Sequence, residues 1–147
     1  IGIFGDYDVD GATSTALLGR YFDELNLPYE IYIPDRRKEG YGPSIESFKI
    51  LIGKGVKIIF TVDCGTLSFE AIDYAAKNKI DVIVLDHHQS EIKLPKAFSV
   101  INPNRLDDTS NLQYLCAAGV TFMFLVSMNK ILRLKEWFKK KKLMNLI

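Results

Sequence analysis

Residues 5–11, GDYDVDG, set Asp6, Asp8 and Asp10 at alternate positions and close on a glycine. Carboxylates this close repel one another, so the segment calls for a cation. A calcium loop of the EF-hand type begins with the same pattern. It also needs a bidentate Glu at its twelfth position and a helix in front. Here that position is Leu17, and the preceding IGIF is short, apolar and β-prone, which excludes calcium of that kind.

Two further groups complete the chemistry. Asp63 stands in TVDCGT, and Asp86, His87 and His88 stand in VLDHHQ. These are the only histidines in the chain, and both lie beside an acid. Carboxylates with imidazoles make a hard-to-borderline donor set suited to Mn²⁺ or Mg²⁺, whereas the lack of paired thiolates disfavours structural zinc. So many donors exceed the needs of one octahedral ion. They suit two ions bridged by a shared carboxylate, for which Asp63, from the central strand, is the best placed. Such a pair, about 3.5–4 Å apart, activates water and stabilises the leaving oxygen in phosphoryl hydrolysis. His88, if not a ligand, is placed to bind a phosphate oxygen or protonate the leaving group. The bland alternative for each acid is helix capping or turn formation. Cys64 reads as small core filler.

The elements around these groups predict how they meet. Strands are expected in IGIF (1–4), YEIYIP (29–34), VKIIFTVD (56–63), DVIVLD (81–86) and FSVINP (98–103). Helices are expected over 11–26, from Ser44 to about Gly53, over 68–78, and from about Ala118 to Leu134, with 35–42 as a polar loop. Short strands alternating with helices predict an α/β fold, a parallel five-stranded sheet flanked by helices. The acids and histidines follow the first, third and fourth strands. In an open parallel sheet that is the ligand-binding rim.

Composition sets the frame. The 147 residues suffice for one domain, and 48% hydrophobic with 25% charged residues describes a globular chain. With 19 basic against 18 acidic residues, net charge gives no argument for nucleic acid, so any such binding needs a local patch. Cys64 and Cys116 lack zinc-type spacing and fit a reducing compartment. No apolar run approaches the roughly 18 residues of a membrane span, so no membrane partner is expected and the cytoplasm is the default location. The chain opens directly on a strand and closes on apolar LMNLI, which reads as part of something longer.

GDYDVDGATSTALL, TVDCGT and VLDHHQ match, in order and spacing, the first three motifs of the DHH phosphoesterase family. PDRRKEGYGPS, INPNRLDD and LCAAGVTF resemble its RecJ-type branch of single-stranded-DNA-specific 5′-to-3′ exonucleases. The resemblance spans nearly the whole chain. It implies a Rossmann-like N-terminal catalytic domain over 1–147. It makes Asp8, Asp10, Asp63 and His87 ligands of a two-metal Mn²⁺ or Mg²⁺ site, His88 the group for substrate or acid catalysis, and Asp6 and Asp86 supporting residues. Many relatives carry a metal-binding His where this chain has Phe4. The family's fourth-motif Asp and second domain are not found in these residues.

The resemblance implies single-stranded DNA as substrate, metal-dependent phosphodiester hydrolysis in repair and recombination, and a single-strand-binding protein or helicase as partner. Arg36 and Arg37, with Lys38, lie in the loop after the second strand, where guanidinium groups suit phosphate. Arg105 is a similar candidate. Gly119 would let helix amides approach a phosphate. The KKKK run at 139–142 reads as a solvated helix end, and Phe122, Phe124, Trp137 and Phe138 as packing residues rather than stacking platforms. Rival functions are a phosphodiesterase for short oligoribonucleotides or cyclic dinucleotides and a non-catalytic nucleic-acid-binding relative. A phosphotransfer or dehalogenase-like domain would need one Asp nucleophile and no DHH.

Overall fold

The computed structural model describes residues 1–137, so Phe138, the 139–142 lysines and the 143–147 segment lie outside the described residues. Along the chain run β1 (Gly2–Phe4), α1 (Val9–Leu25), β2 (Glu30–Tyr32), α2 (Arg36–Glu39), α3 (Ile45–Gly53), β3 (Ile58–Val62), α4 (Phe69–Lys77), β4 (Asp81–Leu85), β5 (Ser99–Ile101) and α5 (Ala117–Leu134). The five strands form one sheet in the order β2-β1-β3-β4-β5, every pair parallel. The direction of strand succession reverses between β1 and β3, which opens a crevice at their carboxyl ends.

Parallel strands are buried on both faces, and their side chains sort accordingly. Phe4, Ile59, Val82, Val84 and Val100 face a layer built on Phe48, Leu51, Ile72 and Cys64. Ile3, Phe60, Val62 and Leu85 face the opposite layer, with Leu18, Tyr21, Phe22 and Leu125. Thus α3 and α4 cover one face, and α1 and α5 the other. Helix starts follow local chemistry: Ser44 and Ser47 form a reciprocal capping box at α3, and Asp8 caps α1.

Two expectations change. The 35–42 segment contains one helical turn, α2, because Asp35 accepts from the Arg37 amide and Glu39 accepts from the Asp35 amide. And α5, 18 residues with a mean hydropathy of 1.3, is long and apolar enough to cross a membrane by length and composition. In this fold one side of it packs against α1 and the sheet through Val120, Thr121 and Leu125, and Tyr21 donates to Asn129 across the α1–α5 contact at 3.1 Å. Phe124 meets Phe60 at 5.8 Å between ring centres, as a packing residue should, while Phe122 and Trp137 are exposed.

Candidate metal centre

Each strand end delivers its acid by a different local device. After β1 the chain turns through Asp6, which is buried, to Asp8, whose Oδ1 accepts from Gly11 N at 2.9 Å as the N-cap of α1. Gly11 is required by close approach, since a Cβ there would sit 2.7 Å from the Asp6 backbone oxygen. Asp10 reaches the other end of the chain and accepts from Ala117 N at 2.7 Å and Ala118 N at 2.8 Å. Asp63 follows β3 with φ +60°, a left-handed conformation uncommon outside glycine. Asp86, His87 and His88 follow β4. The loop after β5 holds them: Asn102 donates to Thr66 Oγ1 at 2.9 Å and to the His88 carbonyl at 2.8 Å, and Asn104 donates to the His87 carbonyl.

The result is two overlapping donor groups. Atoms of Asp63, His87 and His88 lie within 4.8 Å of one another, as do atoms of Asp6, Asp8 and Asp63. Asp63 is common to both. His87 Nε2 is 3.3 Å from Asp63 Oδ1 and 3.6 Å from Asp10 Oδ2, so Asp10 borders the first group. Asp6 Oδ1 and Asp63 Oδ1 are buried with no hydrogen-bond partner. Buried orphan oxygens are costly, and a cation between these groups satisfies them. The residues present therefore fit divalent metal.

The electrostatics say the same. Burial, then the charges of Asp10 and Asp8, push the Asp63 carboxyl up to about 7. Asp8 is lowered, chiefly by the Gly11 amide, and it shares a hydrogen bond with Asp63. Ionising Asp63 beside Asp8 and Asp10 is thus unfavourable without a cation nearby. Burial also raises Asp6. Burial would raise Asp86 too, but hydrogen bonds from His88 and Thr66 outweigh it and bring it to about 2. Asp86 is thus an anion, with Oδ1 2.7 Å from His88 Nδ1, so the proton of that nitrogen points at Asp86 and His88 is raised in return.

The basic candidates separate. Arg36 lies over the Tyr7 ring, 4.9 Å from its centre, and its charge offsets part of the burial that raises the neighbouring Asp6. Arg37 is in the same turn. Arg105 is committed elsewhere: its Nε and Nη2 clasp Asp107 at 2.9 and 2.6 Å, and its Nη1 donates to the Val100 carbonyl at 2.7 Å. That makes it a strut of the loop after β5. Gly119 sits in the first turn of α5, where the preceding amides already hold Asp10, so that helix end binds an anion of its own chain. Three of the N–H groups of Arg105, and the two α5 amides that precede Gly119, are thus engaged within the chain. Sequence reasoning missed Thr66, Asn102, Asn104 and Tyr41. Asparagines flanking a proline read as loop residues, and only the EGYG glycines hinted at Tyr41.

A family profile described as the DHH family, N-terminal domain, matches residues 1–146. The chain belongs to the DHH family. It is similar to the single-stranded-DNA-specific exonuclease RecJ of Bacillus subtilis (strain 168), 37% identical over 83% of this chain and 16% of that protein. The RecJ of Escherichia coli (strain K12) is 37% identical over 92% of this chain and 24% of that protein. This DHH chain therefore spans a quarter or less of the length of those relatives. Its fold matches a crystal structure of exonuclease RecJ bound to manganese with a TM-score of 0.79, at 32% identity, over 89% of this chain and 33% of the other. CDC45 from Entamoeba histolytica, 14% identical with a TM-score of 0.57, shares the fold alone.

Proposed function

We propose that this DHH domain is the N-terminal catalytic part of a divalent-metal-dependent exonuclease that hydrolyses single-stranded DNA from the 5′ end. The observation that carries the reading is Asp63, one buried carboxylate shared by two donor groups at the switch point of a parallel sheet. Similarity to proteins named as single-stranded-DNA-specific exonucleases, and to RecJ bound to manganese, supports the substrate and the metal.

In this reading Asp8, Asp10, Asp63 and His87 hold Mn²⁺ or Mg²⁺, and Asp6 lines the same group. The ions supply charge that makes water nucleophilic and neutralises the phosphodiester. Asp86 fixes His88 with its Nδ1 proton inward, so that Nε2, 3.4 Å from Tyr41 Oη, is the nitrogen for a phosphate oxygen or the leaving oxygen. Arg36, held on Tyr7, and Arg37 grip phosphates of the strand. In this reading the protein works in the cytoplasm, with a single-strand-binding protein or helicase supplying the strand.

The test is an assay of the full-length protein on 5′-labelled single-stranded DNA, the matching duplex, short oligoribonucleotides and cyclic dinucleotides, with Mn²⁺, Mg²⁺ and a chelator. Release of mononucleotides from single-stranded DNA, abolished by the chelator, is expected. Activity confined to the dinucleotides, or unaffected by chelation, contradicts the reading.

A further inference from the structure

Besides Asn102, Asn104 and the amides of Ala117 and Ala118, a tyrosine from outside the three motif segments makes polar contact with the centre. Tyr41 lies between α2 and α3, flanked by Gly40 at φ +82° and Gly42 at φ +80°. Only glycine takes such angles freely, and the pair turns Tyr41 toward the rim. The residue is 54% exposed, yet its hydroxyl points inward. Tyr41 Oη donates to the Asp63 carbonyl at 2.8 Å and lies 3.1 Å from His88 Nδ1 and 3.4 Å from its Nε2. The two rings meet edge to face, 5.6 Å apart.

A phenol has one proton, and here it goes to Asp63. The oxygen then turns its lone pairs to His88, whose Nδ1 proton has Asp86 Oδ1 as nearer acceptor and Tyr41 Oη as second. One oxygen atom thus ties the left-handed backbone after β3 to the imidazole after β4. Those are the two strand ends that build the Asp63, His87 and His88 group.

We propose that Tyr41 is a positioning residue of the metal centre, its hydroxyl setting the orientation of Asp63 and the His88 ring relative to each other. The proposal rests on the metal-dependent reading above. A merely structural tyrosine would hold the loop; this one sets the geometry of the ligand that both donor groups share.

Tyr41→Phe in the full-length protein keeps the ring and deletes the hydroxyl. Residues that orient metal ligands typically affect metal affinity by about 10–100-fold, so Mn²⁺ binding measured by calorimetry should weaken by about 10-fold or more. The melting temperature of the metal-free protein should not move. On single-stranded DNA, kcat at subsaturating Mn²⁺ should fall while KM stays within about twofold. Unchanged Mn²⁺ affinity overturns the proposal, with or without a shift in melting. A raised KM at unchanged kcat also overturns it, by making Tyr41 a substrate contact. The Mn²⁺ titration needs no substrate, so it decides the role of Tyr41 even if the exonuclease reading fails.

Discussion

The carboxylate of Asp10 closes the N-terminus of α5, its oxygens 2.7 Å from the amide of Ala117 and 2.8 Å from that of Ala118. Asp8 does the same for α1 through Gly11. Capping and metal binding looked like alternatives for these acids, but each carboxylate oxygen has two lone pairs, so the capping bonds leave room for a metal. The helix amides hold the carboxylates in place and favour their charge.

Asp10→Ala should therefore cost the metal-free protein about 1 kcal/mol of stability, the usual size of a lost cap, besides weakening Mn²⁺ binding. Urea unfolding in chelator isolates the first effect. Unchanged stability there would reduce Asp10 to a ligand alone.

The titrating acids give the metal-free protein a stability maximum in the acid range. The Asp63 carboxyl stands at about 7 against 3.8 when unfolded, so the folded state holds the extra proton. Its contribution is full below about 4 and is lost as pH rises through about 7. The raised His88 acts in the same direction. Asp86, lowered to about 2, has the opposite sense: its contribution is present above 3.8 and lost as pH falls toward 2. Melting in chelator should thus decline on both sides of about pH 4–5. Because the ion competes with the Asp63 proton, Mn²⁺ affinity should climb with pH and level off above about 7. A pH-independent Mn²⁺ affinity between 5 and 8 contradicts this linkage.

Replacing Arg36 and Arg37 with Gln should weaken single-strand binding alike for all sequences. Two lost phosphate contacts should flatten the slope of log affinity on log salt by about 1.4, at about 0.7 each. An intact slope would return both residues to an ordinary solvated turn.

Much of this was legible in the sequence because it is local. Five β-prone runs alternating with helical periods foretell the sheet, and acids after three of those runs foretell the rim. What was hidden depends on partners far along the chain. Asp10 meets α5 more than a hundred positions away, and nothing in LCAAGV announces it. Tyr41 reaches Asp63 only because two glycines turn it there. Arg105 looked free beside INPN because its partner Asp107 could equally have faced solvent. The apolar length of α5 was underestimated because Asn129, Lys130 and Arg133 interrupt it, although its composition as a whole suffices for a membrane span.

The central claim is that Asp63 serves both donor groups, and calorimetric titration of Mn²⁺ into Asp63→Asn, beside Asp6→Asn and the unaltered full-length protein, tests it most directly. The unaltered protein should bind two ions. Asp6→Asn should weaken one of them, because Asp6 belongs to one group only. Asp63→Asn should weaken both and abolish hydrolysis of single-stranded DNA. If Asp63→Asn leaves one ion bound with full affinity, or loses no more than Asp6→Asn does, the two groups do not share that carboxylate.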